Sequence, residues 1–209
     1  MHDQDRTDWR IAYENVEPIR IRDPVAEALT VLDPGDPFVV RYEDVVKAAG
    51  HSCPTAAGAY RLAQLGLDAL YPGDELPVRG DVEVTVGGPR DDPVYGVSAR
   101  LVSYVTGAAG EDGFAGLAGG HGDRRDHLRF GDLDGDGPTF EFTRTDTGAN
   151  VRVTYHVGDV PATGPATRHL ERLVAGTATE EERAAFAEAW HDRVERVLSD
   201  DDLFTVEAV

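Results

Sequence analysis

The chain has one cysteine, Cys53, and one lysine, Lys47, among its 209 residues. Without a second thiol an internal disulfide framework is excluded, in agreement with a reducing cytoplasm. The basic side is almost wholly arginine and is outnumbered: 39 Asp and Glu against 20 Lys and Arg give a formal net charge of -19. A clustered basic patch is missing too, because the arginines are interleaved with carboxylates, so nucleic acid is not an expected partner. No stretch approaches the ~18 consecutive apolar residues of a membrane span. The polar first ten residues lack the apolar segment of a secretory signal, so a cytoplasmic protein with no membrane partner is expected. No linker-like break in composition divides the chain, which has the length of one sizeable domain. Acidity with so little lysine resembles a surface adapted to high intracellular salt, although a GC-rich genome would also favour arginine over lysine.

What is present reads as an α+β domain: a central, mostly antiparallel sheet with packed helices and a C-terminal helical extension. Residues 1–8 form a polar lead-in, and the apolar residues from Trp9 to Ile21 recur partly at period two, as in extended chain. A short helix is predicted over 24–32, with Asp23 as N-cap and Pro34-Gly35 as the stop. Next comes a strand passing into a helix over 38–49, then a helix over 54–70 closed by Pro72-Gly73. Gly58 and Gly66 weaken that helix by roughly 1 kcal/mol each relative to Ala, which points to close approach by another backbone. Val82, Val84 and Val86 alternate with polar residues, as in a half-buried strand. A helix is favoured over 94–107. Strands follow over 128–130, 138–144 and 150–157, the last two joined as a hairpin through Asp146-Thr147-Gly148. Helices are predicted over 165–175 and from the Thr179-Glu182 capping box to about residue 198, so the chain is expected to finish with helices. The boundaries are a lead-in with a short helix over 1–37, a core over 38–160, and C-terminal helices of the same domain over 161–209.

The chemistry gathers around Cys53, two residues after His51 and immediately before Pro54. Proline suits the first helical position, and a helix N-terminus stabilises a thiolate. Cys53 is therefore disposed to be a metal ligand or a nucleophile, although a lone cysteine there can also be a small buried capping residue. Glycines at 110, 113, 116, 119, 120 and 122 form a loop, either flexible or wrapped tightly round something, and His121 and His127 close it. That loop matches neither a phosphate-binding loop nor a dinucleotide fingerprint. The tract 132–137 resembles the first half of a calcium loop. Thr143 stands where the bidentate Glu should be, so an acidic turn is expected instead. His51, Cys53, His121 and His127 together make a donor set suited to a divalent transition metal, zinc first, at a site with an open position. The alternative from another class is a metal- or thiol-dependent enzyme in which a histidine activates Cys53 toward a small molecule.

The run Tyr42-Glu43-Asp44-Val45-Val46-Lys47-Ala48-Ala49-Gly50-His51-Ser52-Cys53-Pro54, with Gly58-Ala59-Tyr60-Arg61 after it, resembles the domain of the formylmethanofuran dehydrogenase E-subunit. Val105-Thr106-Gly107, Leu128-Arg129-Phe130, the tract 143–148 and a Glu-rich final helix follow in the family's order. The resemblance implies an α+β fold, a metal held near the motif by His51 and Cys53, and a homodimer. Three departures stand out: Ala49 replaces the motif's first His, Thr55 its closing Gly, and the family's second cysteine has no counterpart. His121 and His127 are the candidates to replace the missing ligands. Nothing resembles a pterin or iron–sulfur binding sequence, so the expected role is accessory or metal-handling.

Overall fold

The computed structural model describes residues 7–9, 11, 13, 15–162 and 164–209; most of the polar lead-in lies outside them. A short antiparallel pair, β1 (Ile19–Ile21) with β2 (Phe38–Val40), flanks helix α1 (Pro24–Ala28). Asp23 caps α1 as predicted, accepting from the Val25 and Ala26 N–H groups. The helix stops four residues short of the predicted end, because Thr30 turns into the left-handed region at φ 57. Helix α2 (Tyr42–Ala49) ends at Gly50, whose φ of 77 makes it the C-terminal glycine cap. Helix α3 (Pro54–Leu70) follows over the predicted residues.

The main sheet holds β3 (Val82–Val86), β4 (Leu128–Phe130), β5 (Thr139–Arg144), β6 (Asn150–Tyr155) and β7 (Phe204–Ala208), in the order β4-β3-β5-β6-β7. Only β3 and β4 are parallel, joined through helix α4 (Pro93–Thr106); the other pairings are antiparallel. The period-two pattern works as expected: Val82, Val84, Val86, Phe140, Phe142, Val151 and Val153 point to one face and are buried. Helices α3, α4 and α6 (Glu180–Ser199) share the apolar core beneath that face. The opposite face carries ion pairs such as Arg152–Glu141 at 3.0 Å and Arg129–Glu83.

Two expectations are corrected by these contacts. Gly58 and Gly66 do admit a close neighbour, but it is an aromatic ring from the sheet rather than a backbone. A Cβ at Gly58 would lie 2.5 Å from the Tyr155 ring, and one at Gly66 would lie 2.5 Å from the Phe142 ring. Nor does the chain finish with helices. After α6 it returns as β7 to pair with β6, Tyr155 opposite Phe204. Of that strand only Phe204 is buried, so pairing rather than a buried face holds it, and the apolar alternation that marks a strand is faint. The predicted 165–175 helix is a 3-10 turn over Gly164–His169 leading into the short α5 (Leu170–Val174).

Candidate functional site

Cys53 is the N-cap of α3, with extended backbone (φ -154, ψ 166) and its Sγ accepting from the Ala56 N–H at 3.4 Å. Sulfur is a weak acceptor, so this contact leaves the thiol able to engage something else. The residue before it is held on three sides. Ser52 Oγ lies 2.7 Å from the Tyr13 hydroxyl and 3.0 Å from the Tyr42 hydroxyl, and Ser52 O accepts from Trp190 Nε1 at 2.9 Å. The Tyr13 hydroxyl also meets His191 Nδ1 at 2.8 Å. Helix α6 therefore reaches across the domain to fix the approach to α3, which explains why Trp190 and His191 sit on its inward side. Tyr13 and Tyr42 pack edge to face with centroids 4.9 Å apart, so the hub's hydroxyls rest on a rigid aromatic base.

Beside this hub stands Tyr155, at the end of β6. Its side chain is 2 % exposed, and its hydroxyl has no hydrogen-bond partner among the described residues. Burial pushes its phenol well above the usual range, against the pull of Arg193; the nearby Cys53 adds to the rise. Arg193 Nε is likewise buried without a partner among the described residues. Burial also raises the Tyr42 phenol, which its bond to Ser52 only partly offsets. The site is thus a thiol, a serine hub and several neutral phenols, with polar hydrogens left over.

His51 lies on the exposed bend before Ser52. Its Nδ1 is 3.1 Å from Ala49 O; facing a carbonyl, that nitrogen must donate, which leaves the Nε2 lone pair available. The loop histidines are placed elsewhere. His121 is exposed and sits against α1, Nε2 3.3 Å from Pro24 O. His127 precedes β4, its carbonyl accepting from Val84 N–H, and Val84 pairs with Phe142, the residue under Gly66. Thirteen residues of α3 separate Gly66 from Cys53, about 20 Å along a helix. The expectation that both histidines come up to Cys53 is therefore not met by their placement. The glycine-rich loop is indeed wrapped round something, but that something is Arg124. Arg124 binds both Asp23 oxygens at 2.7 and 2.8 Å, while its backbone holds Ala109 and Phe114. Gly116, at φ +80, allows the chain to pass within 2.7 Å of Gly120.

Among the described residues no three His, Cys, Asp or Glu side chains stand close enough to hold a metal ion together. A closed four-ligand zinc site therefore does not fit this donor set; His51 and Cys53 supply at most two positions. Sequence reasoning missed Ser52, Tyr13, Tyr42 and Tyr155. It placed Trp190 in an apolar stripe without asking where its N–H would go, and a buried indole N–H needs an acceptor.

A five-stranded sheet covered on one face by helices, with a thiol capping the central helix, defines the protein as an α+β domain built around a single-cysteine site. The family model FmdE, described as molybdenum formylmethanofuran dehydrogenase operon, matches residues 48–205. The chain belongs to that family and is related to the formylmethanofuran dehydrogenase E-subunit. The matched span opens three residues before His51 and runs into β7, so it takes in both the candidate site and the sheet strand at its far edge. No curated protein matches the chain. No helix among the described residues is long and apolar enough to cross a membrane.

Proposed function

We propose that this domain is an accessory metal-handling module in which Cys53 and His51 take up a divalent transition metal, zinc first, that arrives with ligands of its own. The observation supporting it is the pairing of a helix-capping thiol with a histidine two residues earlier whose Nδ1 is anchored on Ala49 O. An imidazole oriented in this way offers Nε2 outward, as metal-ligating histidines do. Two protein donors suit transfer better than permanent storage, because incoming ligands fill the remaining positions. Elemental analysis after zinc loading and desalting tests the proposal. About one zinc per chain is expected, lost in Cys53→Ser, reduced in His51→Ala, and unchanged in His121→Ala and His127→Ala. Serine also caps helices well, so Cys53→Ser should fold. Full zinc retention by Cys53→Ser would overturn the ligand assignment.

The second reading, a thiol-dependent enzyme on a small molecule, draws its support from the buried, partnerless Tyr155 hydroxyl next to Cys53. A phenol kept neutral can donate to a developing oxyanion while the thiol attacks. Rapid alkylation of Cys53 by iodoacetamide in zinc-loaded protein would favour that reading over metal handling.

A further inference from the structure

At the opposite edge of the sheet, a cavity of about 340 Å³ opens between α4, β4 and the start of the glycine-rich loop. Arg90, Arg100, Ser103 and Asp112 supply its polar lining, with Leu128 and Phe130 behind them. In a chain of net charge -19, a concavity with two arginines and one carboxylate is out of character. Elsewhere the arginines are taken up by carboxylates, as in Arg22–Glu27, Arg124–Asp23, Arg144–Glu75 and Arg152–Glu141. Arg90 and Arg100 have no such partner among the described residues. The nearest candidate for Arg90, Asp92, is engaged in capping α4 through the Val94 and Tyr95 N–H groups at 2.8 and 3.1 Å.

The Arg90 side is also held in place. Its guanidinium lies over the Phe130 ring, 5.0 Å from the centroid, a cation–π contact that orients it without neutralising it. Gly96 lets α4 approach the loop that carries Arg90, because a Cβ there would lie 2.6 Å from Arg90 O.

We propose that this cleft binds a small carboxylate with an apolar or aromatic body. The carboxylate would pair with Arg90 and Arg100, and the body would rest on Phe130 and Leu128. Guanidinium groups match carboxylates in shape as well as charge. The choice of a monoanion follows from Asp112: two arginines against one aspartate leave a local charge that one carboxylate neutralises and a phosphate dianion would overshoot. The cavity is at the small end of the range for ligand sites, which suits a one-ring acid.

The test is calorimetric titration of the full chain at fixed ionic strength with benzoate, benzamide and phenyl phosphate. Saturable one-to-one benzoate binding is expected, with benzamide about tenfold weaker or worse for want of a charge-assisted bond. Phenyl phosphate should bind less tightly than benzoate and gain relative to it in Asp112→Asn. The double variant R90Q/R100Q should lose benzoate binding by at least about tenfold. Both arginines are exposed and unpaired, so its thermal melt should match the parent's. No saturable benzoate binding at millimolar concentration, or equal affinity for benzoate and benzamide in the unmodified protein, overturns the proposal without recourse to any variant. Undiminished benzoate binding in a folded R90Q/R100Q overturns it as well.

Discussion

The two ends of α3 are finished in opposite ways. At the N-terminal end the cap is the Cys53 sulfur, and the surrounding groups are hydroxyls: Ser52 held by Tyr13 and Tyr42, with Tyr155 alongside. At the C-terminal end the cap is a full charge. Arg144 donates to Leu70 O at 3.4 Å, is clamped by Glu75 at 2.9 Å and Asp146 at 2.7 Å, and lies over the Tyr71 ring with its guanidinium carbon 4.0 Å from the centroid. Both caps oppose the helix dipole with the appropriate sign, a polarisable sulfur at the positive end and a cation at the negative end. They differ in what remains free. Arg144 has its donors committed to fixed carboxylates and works as a structural clamp, whereas the thiol accepts one long hydrogen bond and the neighbouring phenol accepts none. That difference explains why chemistry belongs to one end of the helix and anchoring to the other, though both ends are built on the same 17-residue element.

The largest effects that would break this comparison come from the two helix glycines, one serving each end. Gly58→Ala and Gly66→Ala each gain about 1 kcal/mol of helix propensity, but each new methyl would meet a ring at 2.5 Å. Overpacking of this kind costs about 1–3 kcal/mol, so both variants should have a lower midpoint in urea denaturation. Only Gly58→Ala displaces Tyr155, so only it should also change the alkylation rate of Cys53. If Gly66→Ala changed that rate equally, the ends would be coupled and the division of labour would fail.

A smaller effect comes from Tyr155 itself. A buried hydroxyl without a partner costs about 1–3 kcal/mol, so Tyr155→Phe in metal-free protein should melt at the same temperature or higher, while zinc uptake or thiol reactivity at Cys53 falls. A clear loss of stability would mean that the hydroxyl has a bonding partner, and the site would then be better satisfied than its geometry shows.

Most elements could be read directly from the residues because their signals are local. Pro54 and Asp23 mark helix starts, Val82-Glu83-Val84-Thr85-Val86 alternates without interruption, and Thr179 with Glu182 closes a capping box whose reciprocal bonds are 2.9 and 3.2 Å. The motif around Cys53 was legible for the same reason, since histidine, thiol and proline are neighbours in sequence. The rest of the site was not, because Tyr13, Ser52, Tyr155 and His191 are separated by as many as 178 positions and meet only once α6 has packed on α3. No period in the chain encodes that meeting. The loop histidines misled for a related reason: spacing showed that they bound a glycine-rich tract, but not that Arg124 would draw the tract onto Asp23.

The smallest predicted effect lies wholly at the clamped end and concerns two aspartates with opposite shifts. Asp146 is held below the usual carboxylate range by its bonds from Arg144. Asp81 is pushed above that range by burial and by Asp146 nearby, against the opposing pull of His127 and Arg144. For Asp146 the folded state favours the ionised form, so its contribution is present above the unfolded value and is lost as the pH falls through the depressed folded value. For Asp81 the folded state favours the protonated form, so stability falls as the pH rises from the unfolded value to the raised folded one. Asp81→Asn should therefore remove a destabilising charge: the variant gains stability relative to the parent above the raised value and loses that advantage in acid. Asp146→Asn should do the reverse, with its deficit greatest near neutral pH and vanishing in acid. Urea midpoints measured from acid to neutral pH would show the two difference curves sloping in opposite directions. Parallel curves would mean that Arg144 does not discriminate between the two carboxylates, and the clamp would then be a diffuse field rather than the directed set of bonds that distinguishes this end of α3 from the thiol end.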